Sequence, residues 1–177
     1  LRSLIALCGG RSLALLTVQM PDPAGYGRIV RQSPHAGWDG DDPGTAASDA
    51  QDAPVLAIVE HKDTNAAQRE IREIYSGVMA VPTRLLKGWL ARLRNDNRQG
   101  EYYLTDIVKF AVADGAPVLA TCIADRVQVD GVNSPVQLAG LERAYQLRQA
   151  QALMEQGVRL ADPARFDVRG TLTCGQD

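Results

Sequence analysis

VLAIVEHKDTNAAQREIREIYSGVMAVPTRLLKGWLARLR, residues 55–94, alternates between two periods. Val55 to Val59 is an unbroken apolar run of strand length, with Glu60-His61-Lys62-Asp63 at its end. Residues 64–73 are polar and rich in helix formers. Residues 74–81 read as a strand that contains Gly77 and stops at Pro82. In 83–94, Leu85, Leu86, Trp89, Leu90 and Leu93 fall on one face at helical spacing. Strand, helix, strand, helix predicts an α/β domain.

The same reading extends both ways. Residues 12–20 are leucine-rich and β-branched and end at Pro21-Asp22-Pro23, which predicts a buried strand closed by a turn. Residues 25–31 predict a second short strand. Residues 105–113 predict an amphipathic helix with Ile107, Val108, Ala111 and Val112 inward and Gly115 after its end, and 118–123 a further strand. The sum is an α/β sandwich around a mixed sheet. Residues 134–157 predict the longest helix: Ser134 suits its cap, Pro135 its first turn and Gly157 its end. After it, residues 158–160, 166–168 and 171–173 are short and strand-like. Residues 32–54 are rich in Asp, Gly, Ala, Ser and Pro, with Trp38 as the only large apolar residue, and predict a flexible loop.

Of the 177 residues, 45% are hydrophobic and 23% charged, which excludes a disordered chain. Nineteen basic residues stand against 21 acidic ones, so the basic excess of a nucleic-acid binder is absent. No apolar stretch reaches the ~18 residues of a membrane span. The three cysteines, Cys8, Cys122 and Cys174, lie far apart, which argues against a disulfide framework or zinc knuckle and for a reducing cytoplasm. Residues 1–20 are apolar enough to raise export. Gly9-Gly10-Arg11 interrupts the run, and Leu7 stands before Cys8 where a lipoprotein signal has a small residue, so a piece cut from a longer protein is the better expectation.

Residues able to carry chemistry are few. His35 and His61 are the only histidines, no Ser/His/Asp arrangement is visible, and neither GxGxxG nor GxxxxGK[ST] occurs. Both histidines read as lone surface residues. Gly25-Tyr26-Gly27-Arg28 is either a tight turn or a backbone that a ligand approaches too closely for a Cβ. Glu60 is either a solvated charge or, at a strand end where α/β sheets bind ligands, an acceptor for sugar hydroxyls. Gly100-Glu101-Tyr102-Tyr103-Leu104-Thr105-Asp106 is either aromatic packing with a Thr105 helix cap or a ligand wall of aromatics and hydroxyls. Asn133, in Gly131-Val132-Asn133-Ser134, either turns the chain or offers its amide oxygen to a cation or substrate.

Taken in order, LLTVQMPDPAGYGRIVR, IVEHKDTNAAQREIREI, NDNRQGEYYLTDIV, GVNSPVQLAGLERAYQ and GVRLADPARFDVRGTLTCGQD closely resemble a bacterial family. It is the family of bifunctional UDP-N-acetylglucosamine pyrophosphorylase/glucosamine-1-phosphate N-acetyltransferases. The resemblance runs from about Leu13 to Asp177 and covers a middle slice of the family protein. It implies a Rossmann-like nucleotide-diphospho-sugar transferase fold. Residues 1–133 would be the later part of the uridylyltransferase domain, 134–157 the linking helix, and 158–177 the start of a left-handed parallel β-helix.

The family makes UDP-N-acetylglucosamine, used for peptidoglycan and lipopolysaccharide, from UTP and N-acetylglucosamine-1-phosphate with Mg²⁺. The resemblance implies roles by position. Gly27 matches the glycine of YGR, which approaches the sugar through its backbone. Glu60 matches the carboxylate of EHKD, which binds sugar hydroxyls. Asn133 matches the asparagine of GVN, a magnesium ligand close to the nucleotide sugar. Tyr103 and Thr105 match the segment lining the acetamido side of the pocket. No side chain here is assigned as a catalytic acid or base. The resemblance further implies a homotrimeric parent enzyme. It places the glycine-rich phosphate loop and magnesium-binding aspartate before residue 1, and the acetyl-CoA-dependent site beyond residue 177, so the polypeptide alone is expected to be inactive.

Two departures stand out. The family reads EINTG where this chain has Glu73-Ile74-Tyr75-Ser76-Gly77, so Tyr75 replaces an asparagine that contacts the sugar. The 32–54 segment is also longer than the family's turn. A catalytically incomplete sugar-nucleotide-binding or structural remnant is the competing class. A nucleotidyltransferase of other sugar specificity is disfavoured by the linking helix and the DPARFDVRGTL segment.

Overall fold

The computed structural model describes residues 1–32 and 53–175. The predicted 32–54 loop therefore falls almost wholly outside the described residues. At its ends, the Gln32 amide donates to the Pro54 carbonyl at 2.9 Å. The chain forms two compact units, 1–126 and 127–177.

The first unit is a five-stranded sheet. Its strands are β1 (Leu13–Gln19), β2 (Arg28–Arg31), β3 (Val55–Val59), β4 (Glu73–Ala80) and β5 (Val118–Ile123), in spatial order β3-β2-β4-β1-β5. β1 runs parallel to β5 and antiparallel to β4; β2 is antiparallel to both β3 and β4. The sheet is mixed, as the alternating periods predicted.

Successive residues of β1 serve opposite faces, the ordinary consequence of a period of two. Leu13 and Leu15 join Ile29, Val55, Ile58 and Val118 under two helices, α3 (Thr83–Leu90) and α4 (Ile107–Ala113), which contribute Trp89, Ile107, Val108 and Ala111. Ala14 packs on the other face with Leu4 and Cys8 of α1 (Arg2–Cys8). That helix was not foreseen in the apolar 1–20 stretch. Gly9, at φ 52°, ends it in the left-handed conformation that glycine adopts without strain. The predicted helix over 64–73 shrinks to α2 (Ala66–Arg69), entered through a reciprocal capping box between Asn65 and Gln68. The 83–94 helix stops at Leu90, although Leu93 still packs on the core. Among the described residues, no helix is long and apolar enough to cross a membrane.

The second unit is built on α5 (Pro135–Glu155), 21 residues long. The Ser134 hydroxyl accepts from the Gln137 amide at 3.2 Å, as its capping role required, and Gly157 turns the chain at φ 95°. The strand-like residues after Gly157 do not form strands: through residue 175 the only regular element is a 3₁₀ turn at Pro163–Arg165. A strand needs a neighbouring ladder, and side chains of α5 take these backbone groups instead. The Gln146 amide donates to Val168 O at 3.1 Å and accepts from Val168 N at 2.9 Å, as a neighbouring peptide group would. Arg143 donates to Ala164 O and Phe166 O, both at 3.1 Å.

Candidate functional site

Glu60 follows directly on β3, whose side chains Val55, Leu56, Ala57 and Ile58 are all buried. The apolar run fixes where the strand ends and so where the carboxylate emerges. A 3₁₀ turn, His61–Asp63, then carries the chain away, held by Asp63 N to Glu60 O at 2.9 Å and by the Thr64 hydroxyl to His61 O at 2.7 Å.

Thr105 meets Glu60 across 45 residues of sequence: its hydroxyl donates to Glu60 Oε1 at 2.8 Å. Thr105 is buried inside the 3₁₀ turn Leu104–Asp106 that precedes α4. This overturns its reading as a helix cap, because a hydroxyl committed to Glu60 leaves the helix amides to other partners. Glu60 Oε2 receives no hydrogen bond from a described residue.

Gly27 lies against the same carboxylate. A Cβ on Gly27 would stand 3.6 Å from both Glu60 oxygens and 2.8 Å from the Cγ2 of Ile58. The second distance is shorter than real Cβ contacts, so only glycine fits without displacing a buried strand residue. The tight-turn reading holds for Gly25, at φ 83°; at Gly27 the atom that leaves no room for a Cβ is the chain's own Ile58.

Tyr75 joins through the backbone, its amide donating to Gly27 O at 2.9 Å. Burial, with the Glu60 charge adding to it, pushes its phenol up to about 12. Tyr103, half-buried, accepts from the Gln99 amide at 2.7 Å. Desolvation raises its phenol above the ordinary value; Gln99 opposes this, and the Asp63 and Glu60 charges add to it. The first unit thus brings Gly27, Tyr75, Tyr103 and Thr105 around Glu60. Asn133 belongs to the second unit, where its backbone amide donates to Gln137 Oε1 at 2.7 Å.

Two features were missed. Asp63 acts on the Tyr103 phenol, raising it both by hydrogen bond and by charge. His61 is not a lone surface residue: Arg28 Nη2 lies 3.3 Å from its Nδ1. Arg28 itself is only 2% exposed and also donates from Nη1 to Tyr26 O. Burial lowers its guanidinium below the ordinary value, and Asp22 offsets part of that. No local signal marks either pairing, since both join residues far apart in sequence.

Magnesium needs about six oxygen ligands in near-octahedral geometry. Among the described residues no group of three or more His, Cys, Asp or Glu could hold a metal ion. Asn133 supplies one neutral oxygen, so these residues form no cage of their own. Chemically the site offers a carboxylate acceptor and two phenols, which suits hydroxyl recognition rather than proton transfer.

No protein-family model matches the chain. Curated proteins do. Over 177 residues the chain is 67% identical to a protein of Polaromonas sp. (strain JS666 / ATCC BAA-500) described as "Bifunctional protein GlmU". It is 64% identical over 185 aligned residues to one of that description from Paracidovorax citrulli, and 55% over 177 to one from Nitrosospira multiformis. All of this chain aligns in each case, against 35% of the relative's length. The chain spans about a third of the length of the curated relatives it matches, and over its whole length its kinship is with the bifunctional GlmU proteins.

Proposed function

We propose that this chain carries the sugar side of a uridylyltransferase. In that reaction an oxygen of the N-acetylglucosamine-1-phosphate phosphate attacks the α-phosphorus of UTP. The α–β P–O bond breaks, pyrophosphate leaves and UDP-N-acetylglucosamine forms. Such a transfer needs in-line positioning and charge neutralisation more than acid–base side chains. Glu60 accepts hydrogen bonds from sugar hydroxyls through Oε2. Gly27 lets the sugar approach the backbone. Thr105 holds the other carboxylate oxygen, while Tyr75 and Tyr103 line the sugar. Asn133 contributes one oxygen to a magnesium ion whose other ligands come from elsewhere.

One observation supports this most: a carboxylate at the end of a buried strand with one oxygen committed and the other open among the described residues, next to a glycine position with no room for a Cβ. The mixed α/β sheet and the identity to GlmU proteins agree with it. The start of a β-helix after Gly157, acetylation of glucosamine-1-phosphate with acetyl-CoA, a homotrimer and a cytoplasmic location belong to the same reading. Assayed by itself, the 177-residue polypeptide is expected to bind the sugar nucleotide without turnover.

The test is a chimera in which residues 1–177 replace the matching stretch of the Polaromonas JS666 protein. Pyrophosphate release from UTP that depends on N-acetylglucosamine-1-phosphate supports the reading. A folded chimera without that activity, beside an active parent, favours a structural or binding remnant.

A further inference from the structure

We propose that Arg28 is a positioning residue for Glu60, pinning the turn that carries the carboxylate to the backbone beside Gly27. This rests on the reading of Glu60 as the sugar-hydroxyl acceptor.

Arg28 is buried with no carboxylate within 4 Å among the described residues, and its Nε has no hydrogen-bond partner. Arg31, three residues along the same strand, is equally buried but forms two hydrogen bonds to Glu73. A guanidinium stays charged in proteins, and burying it without a counter-ion is costly. Asp22 offsets part of that cost, and the remaining offset comes from the guanidinium's hydrogen bonds.

Those contacts join two segments. One goes to the carbonyl of Tyr26, the residue before Gly27; the other to the ring of His61, the residue after Glu60. Because the guanidinium only donates, His61 Nδ1 must accept, which leaves the ring proton on Nε2. The His61 carbonyl is held in turn by Thr64. Arg28 opens β2, and alternate side chains of a strand face opposite ways, so the clamp acts from the side away from Gly27. The clamped distance is the one that decides binding. Both Glu60 oxygens stand 3.6 Å from where a Gly27 Cβ would lie, and a constellation of this kind tolerates shifts of only about 0.5 Å.

The test uses the chimera with Arg28→Met, Glu60→Ala and the double variant, measuring KM for each substrate and the melting temperature. Arg28→Met is expected to raise the sugar-phosphate KM about tenfold, the effect of a misplaced charged hydrogen bond. The UTP KM should stay unchanged and the melting temperature should not fall, since an unpaired buried charge has been removed. In the Glu60→Ala background Arg28→Met should add nothing. His61→Phe, which removes only the acceptor, should act in the same direction and guards against a misfolded Arg28 variant. An unchanged sugar KM in Arg28→Met and His61→Phe while Glu60→Ala raises it overturns the proposal alone. So does an equal rise for both substrates, or an additive effect in the double variant. A Glu60→Ala protein with unchanged sugar KM removes the reading of Glu60, and this inference with it.

Discussion

Two carboxylates stand at strand ends of the same sheet and are treated oppositely. Glu73 opens β4 and has both oxygens engaged: Arg31 donates to Oε2 at 2.7 Å and to Oε1 at 2.7 Å, and the Thr17 hydroxyl adds a bond to Oε1 at 2.6 Å. All three side chains are buried. Glu60, past the end of β3, holds one hydroxyl and keeps an oxygen that no described residue engages. A carboxylate with both oxygens tied to buried partners serves the fold, whereas one with an oxygen that no described residue engages can serve a ligand. Exposure alone does not separate such residues; the state of their hydrogen bonds does.

The comparison breaks most visibly at Glu73. Glu73→Ala leaves Arg31 as a buried unpaired cation, so the expected loss is about 3–5 kcal/mol. For a domain of this size that lowers the melting temperature by about 2–4 °C per kcal/mol. Calorimetry on the chimera checks it. A loss below about 1 kcal/mol would mean the triad is not the structural site described here.

Gly27→Ala comes next, at about 1–3 kcal/mol, because the new methyl meets buried Ile58. The same methyl intrudes beside Glu60, so the sugar-phosphate KM should rise. In an Ile58→Ala background, which lacks the Cγ2 that the methyl meets, Gly27→Ala should cost no further melting temperature yet still raise the KM; loss of both effects there would reduce Gly27 to a packing residue.

Much of this was legible. The alternation in 55–94 reports burial directly, since a strand and a helix bury different sets of positions, and the β1 run LALLTVQ is buried on both faces as its lack of alternation implied. Helix α1 was hidden because its reason for existing is tertiary: Leu4 and Cys8 are buried against Ala14, and nothing within residues 1–10 announces that partner. The helix predicted over 64–73 is cut to four residues for the converse reason, helix formers without an apolar face to bury. At the site, the strand end gave Glu60 and the glycine pair gave Gly27. The Glu60–Thr105 bond and the Arg28–His61 contact depend on which turns the sheet brings together, and local sequence carries no trace of that. Tyr75 stood out only as a departure from the family, and its place beside Gly27 follows from the β2–β4 pairing.

A smaller effect is expected at Tyr75. Its folded pKa of about 12 exceeds the ordinary value of 10.0, so it favours the neutral phenol in the folded state. That stability is present in full below pH 10 and is lost as pH rises towards 12. The loss amounts to at most about 2–3 kcal/mol by pH 12, and none of it has occurred at neutral pH. Melting curves of the chimera and its Tyr75→Phe variant should coincide near neutrality and separate only in the alkaline range, the wild type falling faster. Parallel curves throughout would mean that neither burial nor Glu60 acts on this phenol.

The central claim is that the open oxygen of Glu60 receives a sugar hydroxyl. Calorimetric titration of folded Glu60→Ala chimera with N-acetylglucosamine-1-phosphate and, separately, with UTP tests it most directly. The account predicts about ten- to a hundredfold weaker binding of the sugar phosphate, the worth of one or two hydrogen bonds to a charged group, with UTP affinity unchanged. Unchanged sugar-phosphate affinity in a protein that melts like the wild type would contradict it.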